Sequence, residues 1–524
     1  MDIKLCFKYN LGSIAILMLS SINLQAQIRF VEPFFLKEDI TIVEDIYYST
    51  NLTKNYLSSN QLDSLLYEED LHMDIYMPSP LIDPVEKRPV VVIPHGGLYW
   101  DQYLLTCHGS KKDLATVELA MQLSQLGYVV VAPQLRTGSY WLDPGYYVNL
   151  KSQLYAKIRA SIDVRNSIKY LRHDILDGNN EYRLDPDKFV LWGSNDGGAV
   201  ATLSAYYHSD EELMGPRYQF ASQPDTFFLY EAAYFGDITG SLPGFDPAFD
   251  SVATNLVSPY ASYNDSVQMT IIMQSDPDID SSFIQAGDPP GIFLIPTDHF
   301  TGAIEIYPPI VTNVPVYPPF SAFPALISRL VNNLGLNDAW KDIVFEDSIA
   351  NTRLLYHPDP TLGKMEGLIG IRGDTLNRAP WVYWSESECE LQNPMVEENA
   401  HFQYPGSSED KGRQIMADVI RYFAPRACIT LDLECKNFIS SVKQEQVDLN
   451  LKIHPNPNDG NFTIRSTDEI INKLVILDFS GRPVFHASAN EKSVHVDLSH
   501  AAKGIYFAQI NIGDRMICKK VIVY

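Results

Sequence analysis

With 524 residues, 45% of them hydrophobic and 20% charged, the chain has material for more than one packed domain and is no low-complexity or disordered polymer. Its 65 acidic residues against 40 basic ones leave a formal net charge of -25, which repels nucleic acid and anionic lipid and argues against both as partners. Six cysteines occur, but no CxxC pair or His-rich spacing, so neither a structural metal nor a cofactor is expected.

Lys4 and Lys8 precede an apolar run from Leu11 to Leu19, and small residues lead on to Ala26. This is the layout of a signal peptide over residues 1–26, with an apolar run too short to span a bilayer. It implies passage through the Sec translocon. No later segment has the length and apolarity of a membrane helix, so no transmembrane segment is expected in the mature chain. Outside the cytosol disulfides become available. Cys428 and Cys435 are the nearest neighbours in sequence, and they read equally well as a bridge or as two buried thiols.

Residues 27–70 carry many aromatic and acidic residues without clear periodicity and read as an irregular lead-in. The alternation of Leu71 to Met77 predicts a strand. The Val/Ile run in RPVVVIPHGG predicts a strand buried on both faces. Leu114, Val117 and Met121, with Leu119, Leu123 and Leu126, predict a helix over 111–126. GYVVVAP reads as a second buried strand, 150–172 as an amphipathic helix, KFVLW as a third buried strand and GGAVATLSAYY as a helix of small residues. Strands alternating with helices predict an α/β fold, a mostly parallel sheet with right-handed crossovers.

Beyond this the text is harder. Stretches at about 209–290 and 300–380 read as long insertions, with a strand at PGIFLIP and a helix over 321–334. A helix over 410–423 is expected to stop at Pro425. Asp163 and Arg165 on the second helix are candidates for a structural ion pair. Residues 436–450 read as a polar linker, and short strands over 451–524 suggest a small β-sandwich.

That last segment carries Pro455-Asn456-Pro457, Gly460, Asp478 with Gly481, Lys503-Gly504-Ile505-Tyr506 and Lys519 to Tyr524, in this order. It resembles the type A C-terminal sorting domain of type IX secretion. The resemblance implies the type IX machinery as a partner and delivery outside the cell or to its outer surface; composition alone shows only a small β domain.

RPVVVIPHGG, GYVVVAPQLRTG, DPDKFVLWGSNDGG and RYFAPRACITLDLEC follow one another in this order, and on them residues 71–435 resemble secreted α/β-hydrolases of the feruloyl and acetyl-xylan esterase type. His95-Gly96-Gly97 matches the loop that supplies an oxyanion-hole amide. GYVVVAPQLRTG matches the next strand with its Arg136 turn, DPDKFVLWGSNDGG the strand entering the nucleophile elbow, and RYFAPRACITLDLEC the closing helix and tail. In the family pattern G-x-S-x-G the serine sits at the apex of a strained turn. Here the flanking glycines are Gly193 and Gly197, the apex is Asn195, and Ser194 comes one place early. A carboxamide has no ionisable proton for a histidine to take, and its nitrogen lone pair is delocalised, so it cannot be the nucleophile. Asp196 follows. A carboxylate about 4 Å from a developing oxyanion costs on the order of 4 kcal/mol at an effective dielectric of 20, roughly a thousandfold in rate.

The matching acid turn is FLIPTDH. With Thr297 aligned, His299 stands at the acid position and Asp298 one place early. The place of the triad histidine, GLIGIRGDTLNRAPWVYW, has none; His401 is the nearest candidate and His357 a weaker one. These alterations favour an exported carboxylesterase-type homologue impaired in catalysis, which keeps a pocket for a carbohydrate or ester ligand at the cell surface. Two other readings stay open. One is an active serine esterase rearranged around Ser194, His401 and Asp298, to which the intact His95-Gly96-Gly97 loop lends support. The other is a structural or adhesive surface protein. Tyr140-Trp141, Tyr146-Tyr147 and the group Trp381, Tyr383 and Trp384 are candidates for sugar stacking or for packing.

Overall fold

The computed structural model describes residues 28–54, 66–97, 107, 109–136, 146–214, 219–222, 225–228, 230, 236–245, 253–273, 284–296, 324–341, 343, 345, 354–356, 366–371, 379–387, 389, 400–401, 404–436, 451–466, 470–477, 483–512 and 515–524. The signal-peptide stretch 1–26, the aromatic residues Tyr140 and Trp141, the acid turn Thr297-Asp298-His299, His357, the linker 437–450 and the sorting residues Asp478 and Gly481 lie outside the described residues. Two compact units are present, Met1–Ser440 and Ser441–Tyr524.

In chain order the first unit contains β1 (Ile40–Lys54), β2 (Leu66–Pro78), β3 (Arg88–Val92), α1 (Leu114–Leu126), β4 (Val129–Pro133), α2 (Tyr146–Leu176), β5 (Leu184–Ser194) and α3 (Asp196–Tyr206). Two hairpins follow, β6 (Gln219–Ser222) with β7 (Asp225–Phe228) and β8 (Gly244–Phe245) with β9 (Ala253–Asn255). Then come β10 (Met269–Met273), β11 (Gly291–Pro296), α4 (Pro324–Asn333), β12 (Leu354–Tyr356), β13 (Leu368–Ile371) and α5 (Glu409–Thr430). One nine-stranded sheet runs β1-β2-β4-β3-β5-β10-β11-β13-β12. From β4 to β13 neighbours are parallel; β1, β2 and β12 are antiparallel additions at the two edges.

The sheet is covered on both faces, which is why β3, β4 and β10 are buried at every position and read as continuous apolar runs. Side chains of β5 alternate. Val190 and Trp192 enter one core with Leu119, Leu123 and Phe423 of α1 and α5; Phe189 and Leu191 enter the other with Val164, Ile168, Val200 and Ala201 of α2 and α3. Trp192 meets Phe423 edge-on, ring centroids 5.1 Å apart.

Several expectations need correction. Residues 27–70 are not irregular throughout: they contain the 15-residue β1 and the start of β2. Register shifts between Val43 and Ile46 and between Tyr47 and Ser49 break the alternation, so the strand hides from a period-two reading. The stretches at 209–290 and 300–380 are not insertions alone, since β10 and β13 are interior strands of the sheet. At five and four residues they are too short for periodicity to report. Helix α5 does not end at Pro425 but continues to Thr430. Buried Ala424, Ala427 and Cys428 hold the last turns in the core, and the Arg426 guanidinium donates to the Tyr422 carbonyl beside the missing proline N–H. Asp163 and Arg165 do not pair with each other: Asp163 takes Arg136, while Arg165 reaches Asp265 and the carbonyls of Leu203 and Tyr207. The Cys428–Cys435 bridge, left open above, is formed, and a second joins Cys107 to Cys389 across 282 residues.

The second unit pairs a three-stranded sheet with a four-stranded one. The first contains β14 (Leu451–His454), β15 (Asn461–Ser466) and β18 (Ser493–Asp497); the second β16 (Ile471–Leu477), β17 (Pro483–Glu491), β19 (Gly504–Ile512) and β20 (Arg515–Val523). Inward residues of both, such as Phe462, Ile464, Val496, Leu474, Ile476 and Ile510, share one core, as in a β-sandwich. The Pro455–Asn458 turn grips β20: Asn456 Oδ1 accepts from Ile522 N–H, Asn458 N–H donates to Ile522 O, and Asn458 O accepts from Tyr524 N–H. No helix among the described residues is long and apolar enough to cross a membrane.

Candidate functional site

From β3 the chain crosses to β4 on one side and then returns to β5 on the other side of β3. Such a reversal opens a crevice at the carboxyl ends of the two strands, where open α/β sheets place their ligands. Two segments frame it. One is Pro94-His95-Gly96-Gly97 after β3, and the other is the turn Ser194-Asn195-Asp196 between β5 and α3.

The first segment is pinned by His95, which is 1% exposed. Leu135 N–H can only donate, and it points at His95 Nε2 from 3.1 Å; Gln134 Nε2 donates there as well at 3.2 Å. The ring proton therefore sits on Nδ1, which donates to Gly96 O at 2.8 Å. Burial pushes this histidine down to about 4, opposed by the bond to Gly96. It is a neutral strut between the β3 and β4 loops. Gly97 has φ 73°, a conformation that a side chain would resist.

The second segment is tighter. A Cβ on Gly193 would overlap the carbonyl oxygen of Gly197, and one on Gly197 would overlap the carbonyl oxygen of Pro94. The two glycines let α3 turn back over the end of β5 and let the elbow press on the β3 loop. At the apex Asn195 takes φ 52° and ψ -124°, outside the basins open to ordinary residues, at about 1–3 kcal/mol. Its N–H donates to Met273 O at 3.1 Å, and its carbonyl accepts from Gly198 and Ala199. Oδ1 of Asn195 is buried and has no hydrogen-bond partner among the described residues.

The neighbours differ in placement. Asp196 is buried, 8% exposed, as the first residue of α3. A carboxylate there is favoured by the positive end of the helix, a structural reason for an acidic residue at this position. Ser194 closes β5 and is half-buried. Strand alternation sends its side chain to the Trp192 face, opposite the α3 side toward which a Gly193 Cβ would point. His401 is exposed, with its ring centroid 5.3 Å from that of Trp384 and Nε2 3.9 Å from Glu386. The β3 loop and the elbow are thus brought together, whereas His401 makes contacts with Trp384 and Glu386. Trp381 and Tyr383 are core residues, 1% and 4% exposed, and offer no face to a sugar. Among the described residues no group of three or more His, Cys, Asp or Glu is placed to hold a metal ion.

One support was missed as a pair. Arg136 is fully buried and clamps Asp163 through Nε at 2.9 Å, with further bonds to Leu52 O and Arg159 O. It ties the end of β4 to β1 and α2 beside the crevice. The Arg136 turn and Asp163 each stood out in sequence, but their pairing across 27 residues did not.

Residues 73–229 match the BD-FAE family model, and residues 452–524 match the secretion system C-terminal sorting domain. No curated protein matches the chain. Among solved structures, Thermogutta terrifontis esterase 2 phosphorylated by paraoxon is 15% identical, over 46% of this chain and 69% of that one, with a TM-score of 0.23. A truncated carbohydrate esterase from gut microbiota is 16% identical over 48% and 78%, with a TM-score of 0.25. Esterase B from Lactobacillus rhamnosis is 18% identical over 38% and 48%, with a TM-score of 0.19. The chain carries an esterase-like α/β-hydrolase domain and, after it, a type IX secretion sorting domain that directs it to the cell surface or beyond.

Proposed function

We propose that the hydrolase unit is a non-hydrolysing member of the esterase fold, which binds a carbohydrate or ester ligand in the crevice at the ends of β3 and β5 once it is outside the cell. A signal peptide over residues 1–26 and the Sec translocon would carry the chain across the first membrane. The observation that supports this most is the carboxamide of Asn195 at the apex of the elbow. Acyl transfer at this place needs an oxygen whose proton a base can remove, and a carboxamide offers none. The supporting geometry argues that the site still has a use. About 1–3 kcal/mol of backbone strain is held at a single residue, and the glycines that permit it are both present. A rearranged esterase built on Ser194 is disfavoured by strand alternation, which directs that side chain to the other face of the sheet.

The test uses the purified mature protein with p-nitrophenyl acetate and a fluorophosphonate probe. The expected result is no turnover above buffer and no labelled serine, together with retention of ligand on a glycan or ester array. Labelling of Ser194 with turnover would overturn the proposal.

A further inference from the structure

Asn195 combines φ 52° with ψ -124°. On a tetrahedral Cα of L configuration, N and Cβ lie a third of a turn apart about the Cα–C bond. This ψ therefore brings Asn195 Cβ nearly into eclipse with the main-chain nitrogen of Asp196. In a helix, with ψ near about -42°, or in a strand, near about +135°, the same two atoms are rotated well apart. Eclipse is what a five-membered ring demands when it runs through Asn195 Cα, Cβ and Cγ, the Asp196 nitrogen and the Asn195 carbonyl carbon. In most folded contexts an asparagine must leave its native backbone conformation to close that ring, and here the native conformation already supplies it.

One more feature favours closure. Oδ1 of Asn195 has no hydrogen-bond partner among the described residues, so no bond at that oxygen anchors the carboxamide in one rotamer. The elbow is held in place by the bond from Asn195 N–H to Met273 O and by the close fit of Gly193 and Gly197.

We propose that Asn195 is a self-modification site at which the elbow converts its own carboxamide to a carboxylate. The Asp196 nitrogen gives its proton to water and attacks Asn195 Cγ. The bond from Cγ to the side-chain nitrogen breaks, that nitrogen takes up a proton and leaves as ammonia, and a succinimide remains. Water then adds to one of the two ring carbonyl carbons and opens the ring, to aspartate if Cγ is attacked and to isoaspartate if the main-chain carbon is. The balance is one water consumed and one ammonia released, with no change of oxidation state. The apex thereby acquires an ionisable oxygen that the encoded residue lacks. The inference rests on backbone geometry and is independent of whether the encoded protein hydrolyses esters.

The experiment incubates the purified full-length chain in native buffer and in concentrated urea at the same pH and temperature, with peptide mapping at intervals for acid forms of the Asn195 peptide. The unfolded chain samples every ψ, so the comparison isolates the contribution of the elbow. Conversion several-fold faster in the native chain is expected, with matching ammonia release, and an Asn195→Gln chain should stay unconverted at that peptide because it would need a larger ring. Conversion in native buffer equal to or slower than in urea would overturn the proposal.

Discussion

The backbone N–H of Leu135 donates to Nε2 of His95 at 3.1 Å, in a pocket where the ring is 1% exposed. Protonation would place an uncompensated charge in the core, and burial pushes the folded histidine down to about 4 against the bond to Gly96. An unfolded histidine titrates near about 6.5. The folded value is depressed, so the stabilisation is whole above that value and is lost as the pH falls toward 4, by about 3 kcal/mol across the window. Asp113 works in the opposite sense. Burial pushes it up to about 7, against its bonds from Gly109 and Ser110, so its share is whole below 3.8 and is lost as pH rises toward 7. The two partly cancel in the parent chain. The difference between parent and His95→Gln isolates the first: urea unfolding at pH 7 and pH 4.5 should show the parent losing markedly more stability than the variant. Parallel profiles would refute the buried neutral strut.

The elbow makes a steric prediction. A methyl group on Gly197 meets the backbone oxygen of Pro94, which cannot rotate away as a side chain would. Gly197→Ala should cost about 3 kcal/mol or more, at the upper end of overpacking penalties, or prevent folding outright. A thermal or urea midpoint within error of the parent would mean that the β3 loop and the elbow are not in contact.

The sheet centre was legible because β3, β4 and β5 are buried on both faces and each one prints as an apolar run. The elbow was legible because only glycine fits at 193 and 197. By contrast, β1 was concealed by two register shifts, and β10 by its length of five residues. The pairing of Arg136 with Asp163 and of Cys107 with Cys389 is long-range, and spacing along the chain carries no information about it. The eclipse at Asn195 lies further still from the text: it is a dihedral angle, set by the glycines and by the Met273 carbonyl together.

Strain at the apex can be relieved without touching the core. Glycine reaches positive φ at no steric cost, so Asn195→Gly should stabilise the chain by about 1 kcal/mol, the lower end of what such a conformation stores. Some of that gain is offset because glycine has more freedom to lose on folding. The measurement is the urea midpoint against the parent. Stabilisation would show that Asn195 is retained against stability, as a residue kept for use is; destabilisation of similar size would show that its side chain makes contacts worth more than the strain.

The two disulfides should differ in weight for a reason that lies in the unfolded chain. Cys107–Cys389 closes 282 residues and Cys428–Cys435 closes 7. In the chain-entropy account, the freedom a cross-link removes from the unfolded ensemble grows with the logarithm of the loop, giving roughly 5 kcal/mol for the long loop and about 2 kcal/mol for the short one. Both bridges are buried, so the serine variants lose comparable packing, and the difference between them reports mainly on loop length. The long bridge also joins the segment after the β3 loop to the stretch that packs Ala400 and Trp384 around it. Cys389→Ser paired with Cys107→Ser should therefore lower the unfolding midpoint clearly more than Cys428→Ser paired with Cys435→Ser, measured under non-reducing conditions. Equal losses would mean that the unfolded chain keeps the two ends of the long loop close without the bridge, and that the clasp between these segments is held by packing instead.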